Sequence, residues 1–127
     1  MDQAARRPFK RGEHDCLLFL ADWVLNRTGI DPAEHLRGRY ATLWGERRVI
    51  WAHGGTVGVV GACARLAGLE RTSEPKENDI GLIFAQVEGS ARPRLVGAVS
   101  GGRRWIALTE RGLLGAVAQP AAAWRVP

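Results

Sequence analysis

The segment His14-Asp15-Cys16-Leu17-Leu18-Phe19-Leu20 decides how this sequence is read. From Asp15 onward Leu17, Leu18, Ala21, Val24 and Leu25 recur at spacings of three and four, which marks one face of a helix. The helix is expected to run from 15 to about 27 and to stop at Thr28-Gly29, glycine being the usual residue past a helix end. Asp15 reads as its cap and Cys16 falls in its first turn. Unpaired backbone N–H groups and the helix dipole favour a thiolate there. A thiol so activated becomes a nucleophile when a base stands nearby. The competing reading of Cys16 is a small buried apolar residue.

Outward from that helix, Asp31-Pro32 reads as a cap followed by proline at a first helical position, opening a short turn through Leu36. Arg37-Gly38-Arg39-Tyr40 breaks it. A second helix is expected from Thr42 to just before His53-Gly54-Gly55, and a third over 56–67. The third lines Val57, Val60, Cys63, Ala64 and Ala67 on one face, and Gly58 and Gly61 weaken it. Residues 70–78 are polar, contain Pro75 and read as a surface loop.

The period then changes. Ile80-Gly81-Leu82-Ile83-Phe84 and residues 95–99 are short apolar runs suited to strands, the second closed by Ser100-Gly101-Gly102. Residues 104–108 alternate sides, Glu110-Arg111-Gly112 turns the chain into 113–118, and Ala123-Trp124-Arg125-Val126 reads as a closing strand. Helices first and an antiparallel sheet afterwards predict one α+β domain over 1–127.

Composition narrows the function classes. Of 127 residues, 46% are hydrophobic and 24% charged, an ordinary globular balance. No apolar stretch approaches the roughly 20 residues that span a bilayer. Residues 1–12 are basic without the apolar run of a secretory signal, so folding in a cytoplasm is expected. Cys16 and Cys63 read as free thiols. Neither these cysteines nor His14, His35 and His53 follow a ligand spacing, so no metal and no other cofactor is expected. The net charge of +5 is spread along the chain, with local clusters only at Arg6-Arg7-Lys10-Arg11, Arg47-Arg48 and Arg103-Arg104. Specific nucleic-acid binding therefore ranks last among the readings.

Asp15-Cys16 before an apolar helix, then Asn78-Asp79-Ile80-Gly81-Leu82-Ile83-Phe84, then Leu95-Val96-Gly97-Ala98-Val99, resembles the NlpC-type, papain-like cysteine peptidases in order and spacing from about residue 12 to 108. In that superfamily Asp-Cys-Ser-Gly opens the catalytic helix, and His-Val-Gly-Ile-Tyr carries the catalytic histidine on a strand. Matching Val96-Gly97-Ala98-Val99 to that strand places Leu95 where the histidine belongs, and no histidine follows His53. Leu17-Leu18 replaces Ser-Gly. A missing base removes both thiol activation and the proton donor for the leaving amine, each worth roughly 10²- to 10⁴-fold. His14 is the substitute base to consider, against an exposed or capping role; a neighbour two residues along a helix does not face Cys16. His53 reads as a helix-end residue and His35 as exposed.

The flanks resemble a second group. Pro8-Phe9-Lys10-Arg11-Gly12-Glu13-His14-Asp15-Cys16, Thr28-Gly29-Ile30-Asp31-Pro32, Arg37-Gly38-Arg39-Tyr40, Gly54-Gly55 and Ala123-Trp124-Arg125-Val126 are similar to a phage and prophage family encoded among tail-tip and baseplate genes. The resemblance implies a structural or assembly part of a phage-type tail, partnered by tail hub or tip proteins. Such a chain would reside in the host cytoplasm during assembly and in the virion tail afterwards. The alternative is an active thiol hydrolase cutting peptidoglycan peptides through Cys16. Physical roles suggest themselves as well. Trp124 is expected to pin the last strand, and Arg37 and Arg39 to bond carbonyls or carboxylates or to be exposed. Trp23, Trp44, Trp51 and Trp105 are expected in the core or as interface anchors, tryptophan being enriched at binding hot spots.

Overall fold

The computed structural model describes residues 9–86 and 91–127. Arg6, Arg7 and Pro8, which the sequence reading used, lie outside the described residues. Helix α1 is Cys16–Thr28, α2 is Leu43–Ala52 and α3 is Thr56–Leu66. Five strands follow: β1 Ile80–Ala85, β2 Arg94–Ser100, β3 Trp105–Thr109, β4 Gly112–Ala116 and β5 Ala122–Trp124. They form one antiparallel sheet in the order β4-β3-β2-β1-β5. The α+β class expected from the change of period is the class found.

Local chemistry sets the helix ends. The Asp15 carboxylate accepts from the Leu17 and Leu18 N–H groups, and Gly29 closes α1 in the left-handed region at φ 79°. Thr42 caps α2 by accepting from the Gly45 N–H at 3.1 Å. Gly58 lowers the helix propensity of α3 for a steric reason. A Cβ there would lie 2.0 Å from the His53 carbonyl oxygen, so only glycine lets α3 start so soon after α2.

One sheet face packs on α1 and α3, with Leu18, Val24, Val59, Leu82, Val99 and Leu108 at the centre of the core. The opposite face gathers Ile83, Val96, Ala98, Trp105, Ala107 and Ala123. Alternation along β2 puts Leu95, Gly97 and Val99 on the helix side. A Cβ on Gly97 would meet Leu20 Cδ1 at 2.6 Å and the Cys16 carbonyl oxygen at 2.7 Å. The first turn of α1 therefore rests directly on β2 at Gly97.

Two strands stop short of expectation. The last strand covers Ala122–Trp124 rather than running to Val126. Beyond Trp124 the backbone turns to other partners, Arg125 N–H to the Glu70 carbonyl and Val126 N–H to Asp79 Oδ1. Strand β4 stops at Ala116 instead of 118, and the Ala118 carbonyl accepts from Trp105 Nε1 at 3.1 Å. Trp124 is buried, as its expected pinning role requires. The loop over 70–78 is tied to β5, with Thr72 N–H donating to the Ala123 carbonyl.

Candidate functional site: the cleft beside Cys16

The entry of the chain into α1 is held by one buried carboxylate. Asp15 Oδ1 accepts from Leu17 and Leu18 N–H at 3.1 and 2.9 Å, and Oδ2 from Gly12 N–H at 2.9 Å and the Tyr40 hydroxyl at 2.7 Å. Gly12 sits at φ 84°, where a Cβ would be 1.8 Å from the Tyr40 carbonyl oxygen. Gly38 N–H donates to the Gly12 carbonyl. Thus Gly12, Asp15, Gly38 and Tyr40, drawn from two separate flanking motifs, form one structural knot.

Beside that knot lies an open cleft of about 860 Å³. Leu43, Trp44, Arg47 and Trp51 of α2 line one wall, and Leu95, Val96 and Leu108 of the sheet line it on the other side. The β3–β4 turn contributes Glu110 and Arg111. Cys16 is partly buried and lines this cleft. Arg11 crosses it, donating to Glu46 at 3.0 Å and to Glu110.

The surroundings of the thiol oppose its ionisation. Burial, then the negative charges of Glu46 and Asp15, push the Cys16 pKa up to about 12, against weaker opposing effects from the Gly97 backbone and Arg11. The expected activation by the helix start does not prevail. Two of the N–H groups that would supply it, those of Leu17 and Leu18, are already committed to Asp15. Glu46 is buried beneath α2, and burial raises its own pKa, with Asp15 adding to the rise and Arg11 opposing it.

None of the three histidines lines the cleft. His14 is buried rather than exposed, with Nδ1 3.8 Å from Asp22 Oδ2. Asp22 in turn pairs with Arg37 at 2.8 Å. His53 caps α2 and its Nδ1 lies 2.8 Å from the Val49 carbonyl. His35 is exposed, with its ring 6.4 Å from that of His53. Leu95 stands in the cleft, paired with Phe84 and on the same face as Gly97. Among the described residues, no three His, Cys, Asp or Glu side chains are grouped to hold a metal ion. Nor, among the described residues, is any single helix long and apolar enough to cross a membrane.

Arg37 holds its turn through Asp31 and Asp22, whereas Arg39 is exposed. Trp23 and Trp105 donate to the Asn78 and Ala118 carbonyls, and Trp105 is buried. Trp44 and Trp51 are 75% and 85% exposed, so neither is a core residue. Sequence reasoning missed Tyr40, Glu46, Arg11 and Glu110 as neighbours of Cys16. It also missed Asp79, whose buried carboxylate accepts from Arg125 Nε, Lys76 N–H and Val126 N–H. One available signal was an acidic residue, Glu46, amid the apolar and basic residues of α2.

The family comparison covers almost the entire chain: the model of DUF6950, a domain of unknown function, matches residues 1–126. The chain belongs to the DUF6950 family. No curated protein and no solved structure matches it.

Proposed function

We propose that the chain is a catalytically idle member of the NlpC-type, papain-like architecture, serving as a structural or assembly component of a phage-type tail tip or baseplate. The observation that carries the idle reading is the surroundings of Cys16. Its thiol lines a cleft without histidine, beside Glu46 and Asp15, with a pKa pushed up to about 12. A nucleophile needs the thiolate, and negative neighbours oppose it. The papain-like scaffold is supported by a cysteine at the start of a helix that rests on an antiparallel strand at Gly97, with Leu95 two residues away on the same face. The tail role is supported by the resemblance of the flanking motifs. Several of their residues, Gly12, Asp15, Gly38 and Tyr40, serve the fold rather than chemistry.

The chain then works in the host cytoplasm during assembly and in the virion tail afterwards, bound to hub or tip proteins. The test is co-purification of the tagged chain with tail proteins from assembling particles, with cell-wall peptide cleavage assayed on the same material. Retention on tail hub or tip proteins with intact peptides is expected. Peptide cleavage that disappears in Cys16→Ser would overturn the idle reading in favour of the thiol hydrolase.

A further inference from the structure

Helix α2 packs Val49 and Ile50 against the core and buries a carboxylate, yet turns its largest apolar side chains outward. Glu46 is its buried residue, whereas Leu43, Trp44 and Trp51 are exposed. Trp44 and Trp51 are seven residues apart, two turns along one side of the helix, and both line the cleft. Exposed tryptophans are costly to leave in water and are typical hot-spot anchors.

Charge says what would cover them. Arg47 and Arg48 on the α2 wall and Arg111 on the opposite wall line the cleft, and no acidic side chain among the described residues pairs with any of the three. Glu46 and Glu110 are both held by Arg11, so the interior keeps a net negative charge while the arginines stand around it. We propose that the cleft docks a short segment of a partner protein in which an apolar residue is flanked by Asp or Glu. The apolar residue packs on Leu95 and Leu108 between the tryptophans, and the flanking carboxylates meet Arg47, Arg48 and Arg111. The cleft volume of about 860 Å³ is large enough for such a segment, ligand sites being about 300–1,000 Å³.

Other occupants fit less well. A flat membrane does not reach into a concave cleft. A nucleic-acid backbone tracks a continuous cationic groove, and here Glu46, Glu110 and the apolar wall interrupt the arginines. A second copy of the chain brings the same excess of +5.

This inference rests on the docking role proposed above and names the partner's chemistry. The experiment is selection from a random dodecapeptide library on the immobilised full chain, followed by anisotropy titration of the enriched peptides. Oligo(dT) and phosphatidylserine vesicles are titrated in parallel. Peptides with acidic residues around an apolar one are expected. Their binding should weaken about tenfold in Trp44→Ala/Trp51→Ala and by a similar factor in Arg111→Glu, a change on the opposite wall that leaves α2 untouched. Circular dichroism checks that each variant is folded. Neutral or basic consensus peptides, no enrichment, indifference to these substitutions in folded protein, or tighter binding of oligo(dT) or vesicles would each overturn the proposal. The bound peptides are then weighed by mass spectrometry. Cys16-dependent cleavage would defeat the idle reading while leaving the docking surface standing, so the two failures are distinguishable.

Discussion

Helices α1 and α2 are both rich in apolar residues and use them in opposite ways. In α1, Leu17, Leu18, Phe19, Leu20, Ala21 and Val24 are buried. In α2 the buried residue is Glu46, and the tryptophans face water. A helix whose apolar stripe is covered is held by the core, and its removal unfolds the domain. One whose tryptophans are uncovered should cost little to alter there, as the proposed docking role requires. Cys16, at the start of α1 yet lining the cleft walled by α2, sits where the two regimes meet.

A large effect should come from the entry to α1. Asp15→Ala removes the cap and leaves the buried Tyr40 hydroxyl without its acceptor. We expect about 3–4 kcal/mol of lost stability in urea denaturation, the sum of a cap and an unsatisfied buried group. A loss below about 1 kcal/mol would mean that α1 is not anchored in this way. Next comes its seat on the sheet. Gly97→Ala drives a methyl against Leu20 and the Cys16 carbonyl, and overpacking of this kind costs about 1–3 kcal/mol. An unchanged midpoint would show that α1 is free to ride away from β2.

The buried face of α1 was legible in the sequence, the outward tryptophans of α2 were not, and the difference has a physical cause. The helix ends at Gly29 and Thr42 and the positions of the strand segments are written in local residues, because caps and period are short-range, whereas the pairing of β1 with β5 is not. The site was only half legible. Asp15-Cys16 could be found, but its neighbours are distant in sequence: Tyr40 is 25 residues from Asp15, Glu46 is 35 from Arg11 and Glu110 is 99 from Arg11. Nothing local marks those pairings. His14 illustrates the same limit. A polar residue outside a helix reads as exposed, and only the tertiary position of Asp22 and Arg37 gives it a buried setting.

Glu46 links the two helices and allows a sharper test. Its carboxyl is raised by burial above the ordinary 4.5, so the folded state holds the proton more tightly than the unfolded one. Stability from this group is greatest below 4.5 and is lost as pH rises through the raised value. Glu46→Gln should flatten that decline in a stability-versus-pH series. It should also speed alkylation of Cys16 at alkaline pH, because the thiol loses its strongest negative neighbour. In the parent chain Cys16 should stay largely unreactive until pH approaches about 12. Fast reaction near neutrality would restore the nucleophile.

The smallest expected effect is the most telling one for α2. Trp44→Ala and Trp51→Ala, at 75% and 85% exposure, should each change stability by no more than about 0.5 kcal/mol. Buried indoles such as Trp124 should cost about 3–5 kcal/mol when truncated, which calibrates the comparison within one chain. If the exposed tryptophans prove as costly as Trp124, α2 is a core helix after all and its aromatic face needs no partner. If they prove nearly free, their presence is not explained by folding. Two large apolar side chains on one side of a surface helix, beside arginines that no acidic side chain among the described residues pairs with, are then accounted for by what the cleft holds.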